Sequence, residues 1–172
     1  TLDHVRETIR MVYERGIWLE VLTLLVPGFN DSEEELRALT RFVAGISRDI
    51  PWHVTAFHGD YKMTDPRNTT ARDLVRAAEM GAEAGLRYVY AGNLPGQVGE
   101  WENTRCPNCG YTVVERCGYL VRSYQITAVG CCSKCDQRIP GLWPGDAGAV
   151  RTGDGLGGLY ARRPRPVFLA GN

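Results

Sequence analysis

The chain has 172 residues, of which 44% are hydrophobic and 23% charged, a composition typical of a globular protein with one ordinary domain and a small module. Its formal net charge is zero, so it lacks the positive field of most nucleic-acid-binding proteins, and nucleic acid is not expected as a partner. The longest apolar runs are strand-sized and no basic, then apolar, leader opens the sequence. We therefore expect a cytoplasmic protein without a membrane-spanning helix.

Helical and strand-like patterns alternate along the first 97 residues. Apolar residues recur at helical spacing from Leu2 to Val12, and Gly16 is placed to end that helix. Two further helices begin at the capping residues Ser32 and Thr70, and apolar, strand-like runs cover residues 17–25, 53–57 and 87–91. This alternation predicts a parallel α/β sheet, either a barrel segment or an open sheet. The nearly continuous apolar run at 17–25 predicts a strand covered on both faces.

Polar residues near the ends of these strands are candidate ligand contacts, because function collects at the carboxyl ends of parallel strands. His58 could bind a ligand or shuttle a proton, although spacing alone favours a histidine that only orders its loop. Asn93 could hydrogen-bond a ligand or serve as an ordinary turn residue. Glu20 and Thr23 lie within a strand and could face a barrel interior. No nucleophile elbow, phosphate-binding loop or pair of carboxylates is recognisable.

Two C-x-x-C pairs predict a metal site with four sulfur ligands. Two residues between cysteines let both sulfurs turn towards one point, and two such turns form a tetrahedral cage that suits Zn²⁺, with rubredoxin-like iron as an alternative. Gly110 permits a positive φ after the first pair, and Asp136 takes that place after the second. The predicted ligands are Cys106, Cys109, Cys132 and Cys135.

All six cysteines lie between Cys106 and Cys135, which favours metal binding in a reducing compartment over a disulfide scaffold. Cys117 is interpreted as a small buried hydrophobe and Cys131 as a chance neighbour of the site, which spacing assigns to Cys132 instead. Four thiolates leave no open position on a metal, so we expect a structural site. The predicted division is an α/β part at residues 1–97, a zinc-ribbon-like module at 98–143, and a Gly-, Arg- and Pro-rich tail at 144–172 that we expect to be poorly ordered.

Five stretches in a fixed order resemble the C-terminal half of radical S-adenosylmethionine enzymes. The stretches read LTLLVPGFNDSEEEL, PWHVTAFHGDYKMTDP, GLRYVYAGNLPG, CPNCG and CSKCDQRIPGLW, and the resemblance covers residues 1–143. The sequence is most similar to the AmmeMemoRadiSam system radical SAM enzymes, a subgroup related to pyruvate formate-lyase-activating enzymes. The resemblance implies a segment of a partial (β/α)6 radical SAM barrel, followed by a small zinc-ribbon-like β module.

The family resemblance also implies a chemistry and its participants. A 4Fe-4S cluster reductively cleaves S-adenosylmethionine (SAM) to a 5′-deoxyadenosyl radical, which takes a hydrogen atom from a protein or small-molecule substrate. By resemblance, Val26 lies beside the bound cofactor and His58 contacts its adenosine end, with Thr23 and Asn93 as further candidate contacts. The implied partners are an electron donor such as flavodoxin or ferredoxin and, by genomic association, a protein of the Memo or Ammecr family.

The sequence departs from the family in two respects. The family binds its cluster through a C-x-x-x-C-x-x-C motif near the start of the barrel, and neither this motif nor the glycine-rich, methionine-binding strand occurs here. We therefore expect a fragment that lacks an N-terminal portion before Thr1 and is inactive alone, with no catalytic residue of its own. The alternative is a zinc-ribbon module that binds protein or nucleic acid from an inactive α/β scaffold.

Overall fold

A computed structural model describes residues 1–63 and 65–153. Its three helices are α1 (Leu2–Glu14), α2 (Glu33–Ile46) and α3 (Ala71–Glu83). Its strands are β1 (Val21–Leu25), β2 (Trp52–Ala56), β3 (Val89–Gly92), β4 (Thr104–Arg105), β5 (Thr112–Cys117) and β6 (Leu120–Tyr124). Short 3-10 turns cover Gly99–Glu102 and Ala147–Ala149.

The first three strands form a parallel sheet in the order β1-β2-β3. Val21 lies opposite Trp52, and Trp52 lies opposite Val89. Helices α2 and α3 connect the strands, so the predicted mixed α/β fold is confirmed. Within residues 1–63 and 65–153 the sheet does not close into a barrel.

Helices α2 and α3 cover one face of this sheet and form the larger core with it. Trp52 and Val54 of β2 are fully buried there with Val43 of α2 and Leu74 of α3. Gly81 allows α3 to approach the sheet closely, because a Cβ atom at this position would lie 2.7 Å from the Trp52 ring. Burial of large apolar side chains on one side of the sheet is the main stabilising contribution to this part.

The opposite face of β1 is open in the structure. Leu22 and Leu24 expose 66% and 46% of their surface, whereas Leu25 is fully buried. The prediction of a strand covered on both faces is therefore wrong for this chain, and the strand begins at Val21 rather than at residue 17. Side chains alternate along a strand, so an apolar run shows that both faces are apolar but not what covers them. Helix α1 buries none of its residues either.

The remaining strands form an antiparallel sheet in the order β4-β5-β6, which belongs to the cysteine-containing module. Its small core includes Val113, Val114 and Ile139, and it packs against Tyr88 beside β3. Strands β5 and β6 form its hairpin, and the two-residue β4 pairs with β5 at the edge.

The described part of the tail folds back onto this sheet. The Gly153 N–H group donates a hydrogen bond to the Val121 carbonyl at 3.0 Å. The predicted poor order of the tail lies, for residues 154–172, outside the described residues. In the part of the chain that the structure describes, every helix is too short or too polar to cross a bilayer.

Candidate metal centre and neighbouring cleft

The four predicted ligand cysteines converge on one point. Their sulfur atoms all lie within 4.8 Å of one another. The Sγ atoms of Cys106 and Cys135 are 3.5 Å apart, and those of Cys109 and Cys132 are 3.8 Å apart. A tetrahedral thiolate site with metal–sulfur bonds of about 2.3 Å has edges of about 3.8 Å, whereas a disulfide joins its sulfurs at about 2.05 Å. The cysteines are thus free thiols in an arrangement that could hold a metal ion such as zinc.

The same backbone turn holds each cysteine pair. The Gly110 N–H group donates to the Cys106 carbonyl at 2.9 Å, and the Asp136 N–H group donates to the Cys132 carbonyl at 3.0 Å. Gly110 and Asp136 have φ angles of 70° and 56°, so both positions adopt the left-handed conformation that the sequence predicts. The two halves of the site are therefore built alike from residues that are close in sequence.

The thiols of the site differ in acidity when no metal is bound. Burial raises the pKa of the Cys106 thiol to about 12, because the thiolate would lose its hydration. Hydrogen bonds from the backbone of Gln137 and the side chain of Asn108 lower the pKa of Cys135 to about 6. A cation would favour the thiolate form of all four ligands, so protons and metal compete for this site.

The other two cysteines lie outside the cluster. Cys131 forms an isolated β-bridge with Arg138, and its Sγ atom lies 4.0 Å from the Val129 carbonyl oxygen. Cys117 ends β5 and is half-buried. The sulfur positions agree with the assignment of Cys132, rather than Cys131, to the second pair.

Thr23 and Glu20, both predicted to face a barrel interior, lie on different faces of the sheet. Thr23 Oγ1 accepts a hydrogen bond of 3.0 Å from Trp52 Nε1 on the helix-covered face. The predicted orientation of Thr23 is therefore wrong, because the alternation of β1 places Leu22 and Leu24 on the open face instead. Glu20 does line the open face. The role of Thr23 as a cofactor contact stays a prediction.

The other candidate cofactor contacts lie at the carboxyl ends of the strands. Val26 is buried, and its N–H group donates to Asn30 Oδ1 at 2.8 Å. Asn93 has a φ of 69°, and its Nδ2 atom donates to the Ala56 carbonyl at 2.9 Å. His58 is exposed just beyond β2. Their contacts with SAM remain predictions.

Thr69, a buried residue that the sequence did not single out, links the end of β1 to the residue that follows β2. Thr69 Oγ1 donates to the Leu25 carbonyl at 2.5 Å and accepts from the Phe57 N–H group at 3.0 Å. It lies in a loop whose polar composition gave no sign of burial, because its partners are distant in sequence.

A cleft of about 840 Å³ separates the open sheet face from the four-cysteine module. On the sheet side, Glu20 Oε2 lies 2.7 Å from His53 Nε2, and the His53 ring stacks on Tyr90 at 4.9 Å between centroids. Tyr90 Oη lies 2.9 Å from Thr104 Oγ1 of the module, and Arg116 Nη1 donates to the same Thr104 oxygen at 2.7 Å. Burial raises the pKa of Tyr90, so its hydroxyl keeps its proton. No spacing pattern in the sequence predicts this group of residues, because they come together only where the sheet packs against the module.

Comparison with known proteins gives one similarity and two negative results. The chain is 44% identical over 117 residues to an uncharacterized protein of Methanocaldococcus jannaschii. This alignment covers 67% of the chain and 34% of the relative, so the chain spans about a third of the length of the curated relative it matches. No protein-family model matches the chain, and no solved structure matches it.

Proposed function

We propose that the chain is the C-terminal part of a radical SAM enzyme and forms one side of its partial (β/α)6 barrel. The observation that carries the proposal is the parallel order β1-β2-β3 with helices on one face and an open second face. Strands in sequential order with helices outside are the repeating unit of a β/α barrel, and the open face then corresponds to the barrel interior. The five sequence stretches that resemble the family support the same interpretation.

The exposed apolar surface supports a longer protein. Leu22 and Leu24 of β1 are exposed on the open face, and β1 pairs only with β2 among the strands of the described chain. Since the alignment covers 34% of the relative, a protein of that length has the residues to supply further strands. Further parallel strands would occupy the free edge of β1 and enclose the open face as the interior of a barrel.

The residues of this chain do not fit the iron–sulfur cluster. All six cysteines lie between Cys106 and Cys135, and four of them converge in the module. In this proposal the cluster is therefore held by residues outside this sequence, and no reaction step is assigned to a residue of this chain. The contribution of the chain is to bind SAM at the carboxyl end of the sheet, where Val26, His58 and Asn93 lie.

The metal of the four-cysteine site is zinc in this proposal, and its role is structural. Four thiolates complete a tetrahedral shell, so no position is left for water or substrate. Metal analysis of the purified chain should find about one zinc per molecule. The Cys106→Ser, Cys109→Ser double variant should lose the metal, and Cys131→Ser, which removes a thiol outside the cluster, should retain it. Stoichiometric iron with a thiolate charge-transfer spectrum would instead identify a rubredoxin-like site.

We further propose where the enzyme acts and with which partners. It would act in the cytoplasm and receive its electron from flavodoxin or ferredoxin. Its substrate would be a protein or a small molecule, with Memo- and Ammecr-family proteins as candidate partners.

The decisive experiment uses the complete natural protein, purified and reconstituted without oxygen. It should bind about four irons in addition to the zinc, and release 5′-deoxyadenosine from SAM after reduction. His58→Ala should weaken SAM binding, whereas His4→Ala, which changes an exposed histidine of α1, should not. A complete protein that binds zinc but neither iron nor SAM would contradict the proposal.

That contradictory result would favour a second function, a zinc-ribbon binding module on an inactive α/β scaffold. The observation in its favour is that the sequence contains no C-x-x-x-C-x-x-C motif. Its signature would be a partner protein that binds the zinc-loaded chain and is released when the metal is removed.

A further inference from the structure

We propose that the cleft between the open sheet face and the four-cysteine module binds a small ligand that joins a carboxylate or phosphate group to a planar ring. The proposal concerns binding by this chain and does not depend on the radical chemistry. It rests on the size of the cleft, on the distribution of charge along its walls and on its aromatic side chains.

The size of the cleft suits a small molecule. Its volume of about 840 Å³ lies within the range of about 300–1,000 Å³ that is usual for ligand sites. One wall belongs to the sheet and the other to the module, so a bound ligand would contact both. Sites between two structural units are common places for ligand binding.

The acidic groups that line the cleft already have partners. Glu20 accepts one hydrogen bond, from Trp18 Nε1 at 3.1 Å, and its Oε2 atom lies 2.7 Å from His53 Nε2. Glu102 is buried and accepts the backbone N–H groups of Gly96 and Gly118, each at 2.6 Å. These contacts already provide both carboxylates with hydrogen-bond partners, so neither carboxylate needs a ligand to supply one.

Arg116 differs from these groups because its charge is not compensated. Its guanidinium group is positioned by Thr104 and lies 5.8 Å from the centre of the Tyr90 ring. Within residues 1–63 and 65–153, no carboxylate oxygen lies within 4.0 Å of its nitrogens, whereas Arg37 and Arg67 both have carboxylate partners. A guanidinium group binds carboxylates and phosphates through paired hydrogen bonds. Arg116 therefore offers a local binding group for an anion in this cleft.

Aromatic side chains supply the surface for a planar ring. Trp18 and Tyr90 line the sheet side of the cleft, and Tyr119 and Trp143 line the module side. Tyr119 is 92% exposed, so it is free to pack on a ligand. Aromatic side chains that line the same cleft as Arg116 match a ring that carries an acid group.

The test is a titration of the zinc-loaded 172-residue chain by two-dimensional NMR with three probes. Phenyl phosphate and 4-hydroxybenzoate carry a ring and an acid group, whereas 4-hydroxybenzyl alcohol is the matched neutral compound. We expect saturable shifts at the indole N–H signals of Trp18 and Trp143 with at least one of the anions, and none with the alcohol. The tighter of the two anions identifies the acid group as phosphate or carboxylate.

Arg116→Gln should weaken binding of that anion about tenfold or more, as expected for loss of one charged hydrogen-bonding partner. Arg116→Lys should retain part of the affinity. Arg122→Gln, which removes an exposed arginine of the adjacent strand β6, is the matched control and should bind as the unmodified chain does. Zinc content and melting temperature establish that each variant is folded.

Three results would overturn the proposal. They are equal binding of the neutral alcohol, equal loss of affinity in folded Arg116→Gln and Arg122→Gln, and no saturable shift with either anion. None of these results bears on cluster binding or SAM cleavage by the complete protein, so failure here is distinguishable from failure of the proposed function.

Discussion

Glu102 fixes the hairpin turn at Gly118, because its Oε2 atom accepts the Gly118 N–H group at 2.6 Å. The Oε1 atom of the same carboxylate accepts the N–H group of Gly96, also at 2.6 Å. Gly96 follows β3, and Gly118 lies between β5 and β6. One buried carboxylate therefore joins the parallel sheet to the four-cysteine module.

Replacement of Glu102 by glutamine should destabilise the chain. A neutral amide offers one oxygen where two N–H groups need an acceptor, so one N–H group loses its hydrogen bond to a charged partner. The free energy of unfolding should fall by about 1.5–3 kcal/mol, measured by urea denaturation. Glu100→Gln, at an exposed position nearby, should change it little. Equal stability of the two variants would contradict the bridging role.

Tyr88 and Tyr90 should respond in opposite ways to replacement by phenylalanine. In the part of the chain that the structure describes, the buried Tyr88 hydroxyl has no hydrogen-bond partner, whereas the Tyr90 hydroxyl contacts Thr104. Tyr88→Phe should leave stability unchanged or raise it, because it removes a buried polar group without a partner. Tyr90→Phe should lower the free energy of unfolding by about 0.5–1.5 kcal/mol. Urea denaturation of both variants checks the difference, and a larger loss for Tyr88→Phe would contradict it.

Asp73 should make the stability of α3 depend on pH. Arg67 binds its carboxylate at 2.6 Å and 3.0 Å, and the Thr70 N–H group donates to it at 2.9 Å. The Arg67 contacts, together with Thr70, hold the pKa of Asp73 well below its usual range. Because the folded pKa is depressed, this contribution is present in full above the unfolded pKa of about 3.9 and is lost as the pH falls through the folded pKa.

The corresponding variant is Asp73→Asn, compared with the unmodified chain by urea denaturation at several pH values. At pH 7 it should be less stable by about 1 kcal/mol, the size of a helix-cap contribution with a partly exposed ion pair. The difference should shrink as the pH falls below about 4. Asp3→Asn, in the exposed helix α1, should show no such trend. A difference that stays constant down to pH 2 would contradict this account.

Removal of the metal should unfold the module before the parallel sheet. Trp143 belongs to the module, where its Nε1 atom donates to the Ile139 carbonyl at 2.8 Å, whereas Trp52 is buried in the core between the sheet and its helices. With a chelator, the Trp143 indole signal should move to its unfolded position in NMR spectra while the Trp52 signal stays. The separate apolar cores of the two parts are the reason. Simultaneous loss of both signals would show a single cooperative unit instead.

The helices could be predicted from sequence because their ends are set by neighbouring residues. The Ser32 side chain accepts the Glu35 N–H group at 3.3 Å, and Thr70 and Asp73 form a complete capping box. The cysteine site could be predicted for a similar reason, since each pair is separated by two residues and each turn closes on itself. Both features depend on contacts over three or four positions.

Features set by contacts between distant residues could not be predicted. The orientation of Thr23 depends on Trp52, which lies on another strand, and the open face depends on which chain segments are present to cover it. Likewise, His53 and Tyr90 meet through the register of β2 and β3, and Arg116 joins them only through packing of the module. No local pattern in the sequence predicts these contacts.

Residues of both the sheet and the module line the cleft, so in our proposal binding of the metal and binding of the ligand are coupled. Arg116 and Thr104 belong to the module that the four cysteines hold, whereas His53 and Tyr90 belong to the sheet. In the arrangement that we propose, the binding surface is complete only when the metal is bound, although the metal itself touches no ligand. Thermodynamic reciprocity then requires that a bound anion strengthen binding of the metal by the same free energy with which the metal strengthens binding of the anion. By this proposal, a metal with a closed coordination shell would control, at a distance, the affinity of a surface that it does not contact.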